Sequence, residues 1–181
     1  ENQRQTKCLK CNSTELSELS DFNEVGLEKC SSCSFVFSHR IPSKEELIDY
    51  YSKNYDRTNY FSPITEKRYN KLLDGFEKYK STNRILDIGA GCGFFLKTAQ
   101  KRGWEVYGTE IDESAMENCK DSSLNMSFGD INTIDFPENF FDVVVQIEVI
   151  EHINNPNEYV SEIHKILRPG GITYLTTPNF N

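Results

Sequence analysis

The sequence predicts an α/β fold, a doubly wound parallel sheet behind a small cysteine-rich module. Three observations lead there. From Arg84 onward, short apolar runs of strand length alternate with helical stretches, the pattern of a parallel sheet covered by helices on both faces. The first of those runs ends in a glycine-rich turn, Gly89-Ala90-Gly91-Cys92-Gly93. Ahead of it, two Cys-x2-Cys pairs are separated by 18 residues. The chain therefore reads as a cysteine module over 1–40, a helical linker over 41–82 and a sheet domain over 83–181.

The composition supports one ordinary core: 181 residues, 37% hydrophobic and 27% charged. The net charge of −8 is uneven, because residues 1–81 carry 13 Lys/Arg and 13 Asp/Glu whereas residues 82–181 carry 7 and 15. So acidic a sheet domain disfavours a broad grip on a phosphate backbone, and nucleic acid is not the expected partner. No apolar run approaches the roughly 18 residues of a membrane helix. The opening Glu-Asn-Gln-Arg-Gln has no apolar leader pattern, so the expected location is the cytoplasm.

Cys8, Cys11, Cys30 and Cys33 have the spacing of a four-thiolate zinc site. Two residues between cysteines let one tight turn aim both sulfurs at one ion, and two such knuckles close a tetrahedron. The stretch from Asn12 to Lys29 is too poor in apolar side chains to fold alone, and a structural Zn2+ would supply the missing folding energy. The alternatives are disulfides or a redox Cys-x-x-Cys. The missing leader and the two further cysteines, Cys92 and Cys119, argue against a disulfide framework.

Phe35-Val36-Phe37 predicts a short strand. Ser43-x-x-Glu46 is a capping box opening a helix through about Asn54. The aromatic loop Tyr55–Phe61 follows, and is expected either to act as a lid over the ligand end of the sheet or to pack the two regions together. Ser62-Pro63 reads as an N-cap with proline at the first helical position. Strands are predicted at Arg84–Ile88, Trp104–Glu110, Asn125–Phe128, Phe141–Gln146 and Ile172–Thr177. Helices are predicted over Gly93–Arg102 and Glu113–Lys120, from about Glu148, and from Asn157 to Leu167, the last capped by Asn155-Pro156 and stopped by Arg168-Pro-Gly-Gly171.

The chemistry gathers at the carboxyl ends of these strands. The glycine turn lets a ligand approach the backbone closely. Its spacing is G-x-G-x-G, not the dinucleotide G-x-G-x-x-G. Asp87, two residues before the first glycine, would repel a pyrophosphate but could hold an ammonium. Glu110 ends the second strand, where a carboxylate accepts both ribose hydroxyls. Asp130 follows the third strand and could accept from an adenine amino group. A ligand with an amino-acid end, a ribose, an adenine and no phosphate is S-adenosylmethionine.

Over residues 84–181 the chain resembles class I S-adenosylmethionine-dependent methyltransferases. The matching pieces are Leu86–Gly93, Gly108–Asp112, Gly129–Ile131, Phe141–His152, Leu167–Gly171 and Thr176–Asn179. The front half is similar to a subgroup with an N-terminal zinc ribbon, whose members are associated with glycan or secondary-metabolite synthesis. The resemblance implies a Rossmann-like sheet of order 3-2-1-4-5. It also implies a cofactor set of Asp87, Gly89, Ala90, Gly91, Gly93, Glu110, Ile111, Asp130, Ile131 and Gln146. The family fold ends in an antiparallel hairpin that has no counterpart here, so the sequence is expected to be a fragment or to have its fifth strand covered by another chain, for instance in a homodimer.

Glu148, Glu151 and His152 would fall at i, i+3 and i+4 on one helical face, just past the fourth strand. Glu148 and His152 are candidate base or positioning residues. The Glu-x-x-Glu-His run is also similar to a divalent-metal site in small-RNA 2′-O-methyltransferases and in ubiquinone-pathway O-methyltransferases, so a second divalent metal is a further expectation. The expected function is methyl transfer to a small-molecule, glycan or sugar-type acceptor, at oxygen or carbon. The alternatives are a metal-assisted RNA 2′-O-methyltransferase and a non-catalytic zinc-ribbon binding module on the same fold.

Overall fold

The computed structural model describes residues 4–43, 46, 47, 49, 62–118 and 123–178. The proposed lid, Tyr55–Phe61, and Cys119 lie outside them.

Three short antiparallel strands, β1 (Leu16–Glu18), β2 (Leu27–Cys30) and β3 (Val36–Ser38), form the N-terminal sheet in the order β1-β2-β3. Its core is small: Cys8, Cys30 and Phe37 are buried, with Leu9, Leu16 and Cys33 packed against them. Ser43 and Glu46 form the reciprocal capping pair, each backbone N–H donating to the other's side chain at 2.8 and 3.1 Å. Ser62 Oγ accepts from the Ile64 N–H at 3.2 Å and starts α1 (Pro63–Phe76).

The second sheet is parallel throughout. Its strands are β4 (Arg84–Ile88), β5 (Glu105–Glu110), β6 (Asn125–Phe128), β7 (Phe141–Ile147) and β8 (Leu167–Thr176), in the order β6-β5-β4-β7-β8. In the strands' own sequence this is the expected 3-2-1-4-5. Period-two alternation sends neighbouring residues to opposite faces. Ile85, Val143 and Val145 meet α1 and α2 (Phe94–Lys101) through Leu73, Phe76, Phe95 and Leu96. Leu86, Ile88 and Val144 meet α4 (Pro156–Ile166) through Tyr159, Ile163 and Ile166. The short α3 (Glu113–Asn118) follows β5.

Three expectations are corrected. No helix starts at Glu148. That residue has φ +55° and its N–H donates to the Thr176 carbonyl at 3.0 Å, so it extends the β7–β8 ladder. Only a single 3-10 turn, Ile150–His152, intervenes before Pro156 opens α4. The fifth strand begins at Leu167, not Ile172: Phe141 pairs with Leu167 and Val143 with Ile172, so Arg168–Gly171 forms an irregularity inside the strand. A Cβ on Gly171 would lie 2.9–3.0 Å from the carbonyl oxygens of Asp142, Phe141 and Arg168, which explains a glycine there. Finally, Asn155 occupies the N-cap of α4 without capping it through its side chain, which donates instead to Glu158.

Candidate functional site

The turn after β4 is shaped by backbone strain that glycine relieves. Gly89, Gly91 and Gly93 have φ of +70°, +54° and +70°. The Gly89 and Ala90 N–H groups both donate to the Thr109 carbonyl at 2.9 Å, locking the turn to β5. A Cβ on Gly89 would come within 2.9 Å of Val149. The turn opens a cleft of about 730 Å³ at the carboxyl ends of the strands.

Ala90, Gly91, Glu110, Ile111, Asp130 and Ile131 all line that cleft, as do Gly89, Thr109, Glu148, Val149 and His152. Asp87 is 5% exposed, one step behind the cleft wall. Burial, reinforced by the charge of Glu110, pushes its carboxyl up to about 8. A buried acid with that proton affinity suits a cationic ligand group, which would let it ionise. Glu110 is pre-positioned: one carboxylate oxygen accepts from Gly91 N–H at 2.8 Å, the other from Ile111 and Asp112 N–H at 2.8 and 3.0 Å. Asp130 sits in an Asx turn, its Oδ1 accepting from the backbone and side chain of Asn132, both at 2.7 Å. Gln146 lies within the sheet, 1% exposed, with its Nε2 donating to Thr173 Oγ1 at 3.2 Å.

The Glu148, Glu151 and His152 side chains do not share a helix face, because the helix is absent. Glu148 borders the cleft and Glu151 borders a neighbouring chamber, while His152 borders both. Among the described residues, the four cysteines are the one group of three or more His, Cys, Asp or Glu whose ligand atoms lie within 4.8 Å of one another.

That cysteine cluster is built by two matching knuckles. Asn12 N–H donates to the Cys8 carbonyl and Ser34 N–H to the Cys30 carbonyl, each at 2.9 Å. Both Asn12 and Ser34 have φ +60°. The Sγ atoms of Cys8 and Cys33, and of Cys11 and Cys30, are 3.6 Å apart. A tetrahedron with Zn–S bonds of about 2.3 Å has edges of about 3.8 Å, so the cluster is able to chelate a metal.

The chamber, of about 1060 Å³, lies between the N-terminal sheet and the second sheet's domain. Phe35, Phe37, Lys10 and Arg40 line it from one side, and Ile150, Glu151, His152, Val160 and Leu175 from the other. It shares Pro42, Leu47, His152, Ile153 and Asn154 with the cleft. The two units are tied by Asn157 Nδ2 donating to the Leu9 carbonyl at 3.0 Å and by Gln5 Nε2 donating to the Asn154 carbonyl at 3.3 Å.

Sequence reasoning passed over Tyr159 and Asp112. The Asp112 carboxylate accepts from Ser114 N–H at 2.9 Å and Ser114 Oγ at 2.7 Å, fixing the start of α3 beside Glu110; an Asp-x-Ser beside a helix start was its available signal. Tyr159 was legible only as a core position in step with Ile163 and Ile166.

The sheet order places the glycine turn and the acids Asp87, Glu110 and Asp130 near the carboxyl ends of the first three strands, beside the topological switch point where open α/β sheets carry their ligand sites. Residues 86–175 match the family model of the methyltransferase domain, and the fold is that of class I S-adenosylmethionine-dependent methyltransferases. The chain is 32% identical over 113 residues to a ubiquinone biosynthesis O-methyltransferase of Ruegeria pomeroyi, covering 59% of this chain and 46% of that relative. It is 31% identical over 126 residues to phosphoethanolamine N-methyltransferase 2 of Caenorhabditis elegans, covering 65% and 29%. The solved PH0226 protein of Pyrococcus horikoshii superposes with a TM-score of 0.58 at 27% identity, covering 71% of this chain and 66% of that one. The chain spans under half the length of these curated relatives. These two relatives, at 32% and 31% identity, are named for different acceptor atoms, oxygen and nitrogen.

Proposed function

We propose that this chain carries out S-adenosylmethionine-dependent methyl transfer to a small-molecule or glycan/sugar-type acceptor, at oxygen or carbon. The observation that carries the reading is one cleft within a matching family domain, lined by the glycine turn, Glu110 and Asp130 and backed by the buried Asp87. Asp87 and the Gly89–Gly93 turn would hold the methionine end. Glu110 with Ile111 would hold the ribose, and Asp130 with Ile131 the adenine, with Gln146 supporting the floor. The bound cofactor supplies a sulfonium methyl, already a strong electrophile. The protein's work is then alignment and exclusion of water.

The chamber is the acceptor site in this reading, because it adjoins the cleft and shares His152 with it. A hydroxyl acceptor must lose its proton as the methyl arrives, and we assign its removal to His152, or to Glu148 from the cleft side. The four cysteines hold a structural Zn2+ that stiffens the module forming the chamber's other wall.

The test pairs cofactor titration with an acceptor screen. Binding of S-adenosylhomocysteine, followed by label transfer to a small-molecule or sugar-type acceptor that His152→Ala reduces at least tenfold with little change in cofactor affinity, supports the reading. Cofactor binding with transfer to no acceptor of that type contradicts the acceptor assignment.

A further inference from the structure

Tyr159 stands on α4 with its ring packed among Leu86, Ile88, Ile131 and Val144. It is 1% exposed, and its hydroxyl has no hydrogen-bond partner among the described residues. Yet the same side chain lines the cleft. Phenylalanine would pack the same apolar surroundings without leaving a buried hydroxyl unsatisfied, which costs free energy. A group entering the cleft that Tyr159 borders would supply the missing partner.

We infer that Tyr159 is a cofactor-binding residue, whose hydroxyl donates a hydrogen bond to a neutral acceptor atom of the ligand in this cleft. The inference rests on the proposed cofactor reading. Two features select the direction and the kind of acceptor. Burial, with Asp130 and then Asp87 adding to it, raises the phenol's proton affinity well above its usual value, so the group keeps its proton and acts as a donor. The same two carboxylates disfavour an anionic acceptor beside the hydroxyl, which sets aside the ligand's own carboxylate. Neutral acceptors remain, on the ribose or the base.

The test is Tyr159→Phe, measured by calorimetric titration of wild type and variant with S-adenosylhomocysteine, beside thermal unfolding of both ligand-free proteins. The expected result is a dissociation constant raised about three- to tenfold, with a melting temperature equal to or above the wild type's, since an unsatisfied buried hydroxyl has been removed. An unchanged dissociation constant overturns the inference. So does a lower melting temperature of the ligand-free variant, which would show that the hydroxyl already has a partner within the protein. A wild type that does not bind S-adenosylhomocysteine fails the cofactor reading itself, a separate outcome from a wild type and variant that bind equally.

Discussion

Glu110 is a single side chain that shapes the backbone and, on the proposed reading, would also meet the ligand. Its carboxylate already accepts three backbone N–H groups, from Gly91, Ile111 and Asp112, so it shapes the turn before any ligand arrives. Each charge-assisted bond is worth roughly 1.5–3 kcal/mol. Glu110→Ala is expected to weaken S-adenosylhomocysteine binding at least tenfold by titration, and an unchanged affinity would remove the ribose assignment. Asp87 supplies a pH dependence. Its carboxyl titrates at about 8 because burial and then Glu110 oppose the charge. Below that value it is mostly protonated and must lose a proton to pair with an ammonium. Binding therefore weakens as pH falls, by up to about tenfold per unit. The expected slope between about pH 6 and 8 is absent in Asp87→Asn; a wild type with no slope there would contradict the assignment. The places of both residues in the fold were legible in sequence because each lies in or at the end of a strand with a clear apolar pattern. Tyr159 was not, because its role depends on what its hydroxyl lacks in three dimensions. The left-handed backbone of Glu148 was equally hidden, since the Thr176 carbonyl that captures its N–H lies 28 residues away.

At the scale of elements, one buried carboxylate fastens the sheet's entry to its exit. Asp142, fully buried in β7, accepts from the Ser81 and Thr82 N–H groups at 3.0 and 2.7 Å and from Arg168 Nε, and Arg168 in turn donates to the Tyr79 carbonyl. This explains why Arg168-Pro-Gly-Gly171 stays with the strand instead of forming a free turn. Burial alone would raise the acid's proton affinity, but Arg168 and the two N–H groups outweigh it and hold the carboxyl below its ordinary range. Its contribution to stability is thus complete above the unfolded value of about 3.9 and is lost as pH falls toward the lower folded value. Asp142→Asn is expected to cost about 3 kcal/mol in urea denaturation near neutral pH; a loss under about 1 kcal/mol would show that the staple is redundant. The cysteine knuckles make a second element-scale prediction. Purified protein is expected to carry one zinc per chain, and Cys30→Ser is expected to unfold the N-terminal sheet while the parallel sheet's transition remains. Metal-free protein with an intact N-terminal sheet would contradict this. The strand order was readable through the family resemblance, and the cysteine grouping because it follows from local spacing. The start of β8 was misread because proline and glycine normally end an element, and only the neighbouring β7 holds these in register.

Across the whole molecule, the N-terminal sheet and the parallel-sheet domain enclose the chamber jointly, whereas the cleft is built almost entirely by the second. Disturbing the first should therefore be felt by the acceptor more than by the cofactor. Removal of the metal by a chelator is expected to raise KM for the acceptor while leaving cofactor affinity within about twofold. Equal loss of both would mean that the module supports the cleft directly. This arrangement was only partly readable: the order of the units was plain, but the contact of Asn157 with the Leu9 carbonyl joins positions 148 apart in the chain. The requirement common to the roles assigned to Asp87, Glu110 and Asp130 is one ligand in one cleft. Its most direct test is calorimetric titration of the wild-type chain with S-adenosylhomocysteine at pH 8. One site per chain, with micromolar or tighter affinity that Asp87→Asn and Glu110→Ala each weaken, is the result expected. No saturable binding, or binding that both substitutions leave unchanged, would contradict it.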